Sequence, residues 1–248
     1  MTPTTPRPPT QAIILAAGEG RRLAPITDTL PKPLVPFFGR PLLDWALAAA
    51  LRAGVTRIAV NAFHLADQLA AHLAALTPQL TRAHPELELH LSREPALLGT
   101  GGAVRHLRHW LTPDEPFLVI NADAVFAEPL TTLTTHQPPA LLVTREPTFA
   151  HERRLVATPT GHLAHLDEAS PSHGYTFCGV TLADPALPQR LPDGPSCILR
   201  QGFLPFLADH PVRLVETHQF FADTGTPDLL VDAHRRGHVM TTFGPPLA

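Results

Sequence analysis

The stretch AIILAAGEGRRLAPITDTLPKPL, residues 12–34, decides how the rest of the chain is read. It opens on AIILAAG (12–18), an apolar run of strand length that ends in small residues, the pattern of a strand buried on both faces and its exit. Gly18-Glu19-Gly20 follows at once. In an open α/β sheet, ligands bind beyond the carboxyl ends of the strands, and two glycines there let backbone N–H groups turn toward an anion without side-chain obstruction. Arg21, Arg22 and Lys32 add cations to the same stretch. Lys32 is the only lysine in the chain: the 19 Lys+Arg are 18 arginines and this one residue, set between Pro31 and Pro33. An ammonium is a compact, strongly hydrated point charge whereas a guanidinium is a planar fork, and the two are not interchangeable around phosphate oxygens. The flanking prolines restrict the backbone and lower the entropy lost in holding that ammonium at one point. Glycines and arginines alone, in so short a stretch, would better suit a tight, solvated turn. The isolated lysine turns the reading toward an anion site.

Working outward, apolar runs of strand length alternate with helical patterns, as βαβ units on a parallel sheet covered on both faces require. PLLDWALAAALRAG (41–54) is read as a helix stopping at a glycine, TRIAVNAF (56–63) as a second strand and HLADQLAAHLAAL (64–76) as a second helix. LELHLSRE (87–94) is a third strand, TGGAVRHLRHWL (100–111) a glycine-led helix, and FLVINAD (117–123) a fourth strand ending in Asp123. Past Asp123 the pattern loosens. PLTTLTTHQ reads as a short helix, ALLVTRE (140–146) and YTFCGVTLA (175–183) as strands, with ERRLVATPTGHLAHL between them as a hairpin turning at Gly161. SCILRQGFLPFLADH (196–210) reads as helix, VRLVETHQFF (212–221) as strand, and TPDLLVDAHRRG (226–237) as a helix capped by Thr226 with Pro227 in its first turn. The expected fold is α/β, a doubly wound, mostly parallel sheet with an antiparallel excursion in the second half. The expected layout is an extended, unpacked Pro/Thr-rich leader over 1–10, one domain over 11–240 and a tail over 241–248.

Composition narrows the function classes. A hydrophobic fraction of 44%, a charged fraction of 17% and a net charge of -3 offer no global attraction to nucleic acid or to an anionic membrane. No apolar run in the sequence approaches the ~18 residues that cross a bilayer, and MTPTTPRPPT lacks the apolar core of a signal peptide, so a cytoplasmic address is expected. Cys178 and Cys197 have no paired spacing, which argues against a disulfide framework or a structural zinc site. His151-Glu152-Arg153-Arg154-Leu155 lacks the second histidine of a zinc-protease motif. A dinucleotide fingerprint would need glycine where Leu23 stands, and a P-loop needs Gly-Lys-Ser/Thr, which does not occur.

Instead the stretch resembles the signature of the sugar-1-phosphate nucleotidyltransferases, or NDP-sugar pyrophosphorylases. That signature is a strand followed by L-A-A-G-x-G-x-R-L, P-x-T and P-K-P-L. Here it stands as Leu15-Ala16-Ala17-Gly18-Glu19-Gly20-Arg21-Arg22-Leu23, Pro25-Ile26-Thr27 and Pro31-Lys32-Pro33-Leu34. Later landmarks keep the family's order. Leu98-Gly99-Thr100-Gly101-Gly102-Ala103 resembles its second glycine-rich segment, Asn121-Ala122-Asp123 its N-x-D, Phe177-Cys178-Gly179-Val180 its F-x-G-I, and Asp223-Thr224-Gly225-Thr226-Pro227 its D-x-G-T-P. Two departures stand out: the E-K-P segment of many relatives is missing, with only Asp167-Glu168 nearby, and Ala122 replaces the usual glycine of N-x-D. The chain ends soon after the last helix, where bifunctional relatives carry a β-helix acyltransferase domain.

The resemblance implies a Rossmann-like, GT-A-like fold and attack of a sugar 1-phosphate on the α-phosphorus of a nucleoside triphosphate. It implies Arg22, Lys32 and Asp123 as catalytic, and Leu15, Ala16, Ala17, Gly18, Gly20, Thr100, Gly101 and Gly102 as nucleotide-binding. It further implies Asn121 and Gly179 beside the sugar, and Asp123 and Asp223 as hard oxygen ligands for Mg²⁺. Similar compact relatives are N-acetylmuramate-1-phosphate uridylyltransferases and mannose- or heptose-1-phosphate guanylyltransferases, so UTP or GTP is the expected donor, with UTP preferred. The expected partners are the NTP and a sugar 1-phosphate, with no nucleic acid and no membrane, in a monomer or small homo-oligomer. Two alternatives stay open. A phosphocholine cytidylyltransferase would need an aromatic cage, for which two tryptophans and one tyrosine give few walls. A regulatory protein that binds nucleotide sugars without turnover would be expected to have lost Lys32, Arg22 or Asp123, and all three are present.

Overall fold

Alternate residues of the first apolar run bury on opposite faces of a sheet, as a strand covered on both sides requires. Ala12 and Ile14 pack with Leu43, Leu47 and Leu69 on one face, and Ile13 packs with Val104, Leu107 and Val119 on the other. The structure, a computed structural model, describes residues 8–145, 154–167 and 174–237. Its first half runs β1 (Gln11–Leu15), α1 (Ile26–Thr29), β2 (Pro36–Phe37), β3 (Arg40–Pro41), α2 (Leu42–Arg52), β4 (Arg57–Ala62), α3 (Ala66–Ala83), β5 (Glu88–Arg93), α4 (Gly99–His106) and β6 (Phe117–Asn121). Then follow β7 (Ala124–Phe126), α5 (Leu130–Thr134), β8 (Ala140–Thr144), β9 (Arg154–Ala157), β10 (Leu163–Asp167), β11 (Thr176–Ala183), α6 (Leu187–Arg190), β12 (Arg213–Glu216), β13 (Phe221–Asp223) and α7 (Pro227–Arg236).

Seven strands form the main sheet in the order β12-β8-β11-β6-β1-β4-β5. β11 runs antiparallel to both β6 and β8, and the other neighbours are parallel. Helices α2, α3 and α5 cover one face, and α4, α6 and the turns after Cys197 cover the other. This is the doubly wound, mostly parallel fold expected, with its antiparallel excursion at β11. A smaller cluster of Leu23, Val35, Phe37, Leu42, Trp45, Val125, Ala222 and Ala233 lies beyond the main core. It supports a ribbon in which β13 pairs antiparallel with β7, setting Asp223 level with Ala124.

Several boundaries differ from expectation for identifiable reasons. α3 runs on to Ala83 because Leu69, Leu73 and Leu80 continue to bury at helical spacing past Pro78, while His64 stands before it and its Nε2 lies 2.8 Å from the Thr27 carbonyl. Residues 196–210 make no regular α-helix: a wide π turn (Ile198–Phe203) is followed by a 3₁₀ turn (Leu204–Phe206), whose Pro205 has no N–H to donate. The strand expected over 212–221 splits, β12 staying in the sheet and β13 leaving it for β7. The hairpin around Gly161 forms as β9 and β10, with Gly161 at a φ of 78°. At the amino end, Pro9 is buried and the Thr10 carbonyl accepts from the N–H groups of Thr56 and Arg57, so packing begins inside the expected leader. Residues 1–7, the His151–Arg153 motif, Glu168 and the tail 241–248 lie outside the described residues. Among the described residues no helix is long and apolar enough to cross a membrane, and Cys178 and Cys197 are both free thiols.

Candidate active site

The segment after β1 folds back on itself because of one glycine. Gly20 sits at a φ of 65°, and a Cβ there would lie 2.9 Å from Thr27 Cγ2 and 3.0 Å from Lys32 Cβ. Its carbonyl accepts from Leu23 N–H at 2.8 Å and from Thr27 Oγ1 at 3.0 Å, which closes the turn and returns the chain toward the strand ends. Lys32 then lies in a 3₁₀ turn between its two prolines, only 8% exposed, with its ammonium on Asp123 Oδ2. Asp123 is reached from β6, which neighbours β1 with Leu15 level with Asn121.

Two cavities meet at this ion pair. A cleft of about 290 Å³ is walled by Leu15, Ala16, Ala17 and Gly18 on the β1 side and by Leu97, Gly99 and Thr100 at the start of α4, with Lys32, Asn121 and Asp123 also lining it. The small residues and bare glycines leave room for a flat group between the walls. A polar recess of about 170 Å³ adjoins it, lined by Arg22, Asn121, Asp123, Thr176, Gly179, Phe221 and Asp223 among others. Gly179, at a φ of 75°, brings β11 against Asn121 and Ala124 so closely that a Cβ would lie 2.8 Å from Ala124 Cβ.

The turn carrying Asp223 is tied to Asp123: Thr224 Oγ1 donates to the Asp123 carbonyl at 2.8 Å, and Asp223 Oδ1 accepts from Gly225 N–H at 2.7 Å. Burial pushes the Asp223 carboxyl above its ordinary pKa, and the like charge of Asp123 adds to the rise, while Lys32, the Gly225 N–H and Arg22 oppose it. The two carboxylates therefore sense one another across the recess. That donor set suits a hard divalent cation. Among the described residues no group of three or more His, Cys, Asp and Glu could hold a metal, so an ion held by these two aspartates would have to draw further oxygens from phosphates and water, as Mg²⁺ commonly does.

Most of the residues expected at the site from sequence come together here. Leu15, Ala16, Ala17, Gly18, Lys32 and Thr100 line the cleft; Arg22, Gly179 and Asp223 line the recess; Asn121 and Asp123 line both, and Lys32 is paired with Asp123. Three glycines do other work than the expected lining of a nucleotide site. Gly20 shapes the turn, as described. Gly101 and Gly102 are buried against the segment 191–197, where added Cβ atoms would meet Ser196 Oγ at 2.7 Å and the Gly194 carbonyl at 2.4 Å. Asp167, the nearest match to the missing E-K-P, stands opposite Arg154 in the β9/β10 ribbon and does not line the recess. Cys178 is fully buried in the core. Sequence reasoning missed Asn61, Pro33 and Leu97 in the cleft and Thr176 in the recess. For Asn61 a signal existed: it is an amide interrupting the apolar run Ile58–Phe63 of the strand TRIAVNAF, near the strand's carboxyl end.

Comparison with known proteins matches residues 11–144 to a family model described as nucleotidyl transferase. The chain is 27% identical over 230 residues to the mannose-1-phosphate guanylyltransferase catalytic subunit beta of Danio rerio, covering 88% of this chain and 61% of that protein. It is 31% identical over 186 residues to the N-acetylmuramate alpha-1-phosphate uridylyltransferase of Neisseria meningitidis serogroup B, covering 71% of this chain and 76% of that one. Among solved structures, HddC from Yersinia pseudotuberculosis superposes with a TM-score of 0.75 at 21% identity, over 92% of this chain and 99% of that one. This last likeness shows a shared fold.

Proposed function

This chain belongs to the nucleotidyltransferase family, and from that membership we propose that it transfers a nucleotidyl group from an NTP to a sugar 1-phosphate, releasing pyrophosphate and forming an NDP-sugar. The observation that carries the reading is the meeting of the cleft and the recess at Lys32 and Asp123, with Asp223 beside them. Both reactants are anions, so the chemical problem is to bring like charges into line and offset the charge that develops; positioning and electrostatics supply most of the rate. No covalent nucleophile is needed.

In this reading the base and ribose lie between the Ala16–Gly18 wall and the start of α4, and the phosphates point toward Lys32. The lysine exchanges its Asp123 partner for a phosphate oxygen at the attacked centre, which its unbranched stem and point charge allow. Arg22 meets the phosphates from the recess side, opposite Lys32, and stabilises the leaving pyrophosphate. Asn121 and Gly179 bound the acceptor's sugar. Asp123 and Asp223 would hold Mg²⁺, which when bound neutralises phosphate charge and orients the reacting oxygens. We take UTP as the preferred donor and GTP as the alternative, since the relatives with similar sequences are named for uridylyl and guanylyl transfer respectively.

The test is pyrophosphate release with Mg²⁺ across UTP, GTP, CTP and dTTP, each against several sugar 1-phosphates and phosphocholine. The expected result is turnover with a sugar 1-phosphate, fastest with UTP. Turnover with phosphocholine and CTP alone would replace the acceptor, and nucleotide binding without turnover in any combination would return the chain to a regulatory role.

A further inference from the structure

Behind the nucleotide cleft a buried chain of hydrogen bonds links its two walls. The Ala16 N–H donates to Asn61 Oδ1 at 2.6 Å, Asn61 Nδ2 donates to Glu94 Oε1 at 2.7 Å, and the Leu98 N–H donates to Glu94 Oε2 at 3.0 Å. Asn61 is 3% and Glu94 7% exposed. Strand order explains the reach: β4 lies between β1 and β5, so Asn61 near the end of β4 touches the exit of β1 on one side and the exit of β5 on the other. Leu98 is fixed in turn, its carbonyl accepting from Ser196 N–H at 2.9 Å, and it immediately precedes Gly99 of α4.

The chemistry of this chain admits few alternatives. Both of its ends are backbone N–H groups, which only donate, so the two side chains between them must supply three acceptors and one donor. One amide and one carboxylate meet that count, and a buried donor facing another donor is the costly failure. An amide at both positions leaves the Leu98 N–H facing an NH₂ group. A carboxylate at both sets two anions against each other. With every carboxylate ionised, only two arrangements work: Asn61 with Glu94, or the reverse, aspartate at 61 with glutamine at 94. A buried carboxylate that costs desolvation is retained here at a position where glutamine, nearly its equal in size, could not satisfy both neighbours.

We infer that Asn61 and Glu94 are positioning residues that hold the Ala16–Gly18 wall and the Leu98–Thr100 wall at one spacing, and so set the affinity of the cleft for the nucleotide. The inference rests on reading that cleft as the NTP site. The test is a reciprocal swap in the full chain: N61D, E94Q and the double variant N61D/E94Q, with binding of UTP and of GTP in the presence of Mg²⁺ measured by equilibrium dialysis without sugar phosphate. Each single variant is expected to weaken binding by about tenfold or more. The double variant, which restores every donor to an acceptor, is expected to return within about threefold of wild type. The KM for the NTP should follow the same pattern, with kcat changed far less. Amide hydrogen exchange adds a readout independent of nucleotide: the Leu98 N–H should exchange faster in E94Q and regain protection in the double variant. Singles that bind normally, a double variant no better than the weaker single, or unchanged exchange at Leu98 in E94Q would each overturn the inference. A wild-type protein that binds neither nucleotide yet shows the exchange pattern would keep the link between the walls and remove the function assigned to the cleft.

Discussion

The cleft wall made by residues 15–34 and the recess wall made by β11 and the β7/β13 ribbon meet at Asp123, yet they are assembled in opposite ways. The first is one continuous segment: Gly20 closes onto Thr27 and Lys32, and the lining that results is small side chains and main chain. The second gathers Asn121, Thr176, Gly179 and Asp223 from across the chain, through an antiparallel strand and a ribbon that leaves the main sheet, with Arg22 reaching in from the first segment. A local turn recruits backbone donors and keeps its composition tightly constrained. A surface gathered from distant segments can change one segment at a time, which would suit the recess to the acceptor side of the proposed reaction.

Substitutions that touch both walls, one wall or neither should separate by size of effect. D123N removes the carboxylate shared by both cavities, and kcat for pyrophosphate release should fall about a thousandfold. Unchanged metal-dependent turnover in this variant would place the ion elsewhere and dissolve the junction. K32R acts on the cleft side. The planar guanidinium cannot take the place of the buried ammonium on Asp123, so turnover should drop about a hundredfold with the melting temperature near wild type. Near-normal rates would show that any cation serves there.

G179A addresses the recess alone. Its positive φ and the 2.8 Å approach to Ala124 Cβ force β11 outward, so the KM for the sugar 1-phosphate should rise about tenfold while the KM for the NTP stays put. Equal shifts in both constants would mean the two walls are not separable. T226A touches neither cavity. It removes the cap of α7, whose Oγ1 accepts from Leu229 N–H, and should cost about 0.5–1 kcal/mol in denaturant unfolding with kinetics unchanged.

The same contrast governs what could be read from the amino-acid sequence. The alternation of buried strands and amphipathic helices through Asp123 announced the sheet, because each strand is covered on both faces and each helix on one, and those periods are written locally. The first wall was legible for a related reason: a turn's requirements fall on neighbouring residues, so two glycines and a proline-flanked lysine stand close together. Gly101 and Gly102 were ambiguous in the sequence because closeness to a ligand and closeness to another segment leave the same mark, a missing side chain, and in the structure the segment 191–197 packs against both. The π turn after Cys197 and the departure of β13 from the sheet depend on partners far along the chain, which no local period records. The amide of Asn61 stood out locally, but its pairing with Glu94 was overlooked since that lies in the order of β1, β4 and β5 and not in the neighbours of either residue.

The account stands on Lys32, Asp123 and Asp223 serving one triphosphate. A crystal structure with a non-hydrolysable NTP analogue, a sugar 1-phosphate and Mn²⁺, with anomalous differences collected at the manganese edge, tests this directly. The predicted result is a manganese peak touching both Asp123 and Asp223, with the Lys32 ammonium moved onto a phosphate oxygen. A peak away from either aspartate, or a lysine still resting on Asp123 beside a bound triphosphate, would contradict it.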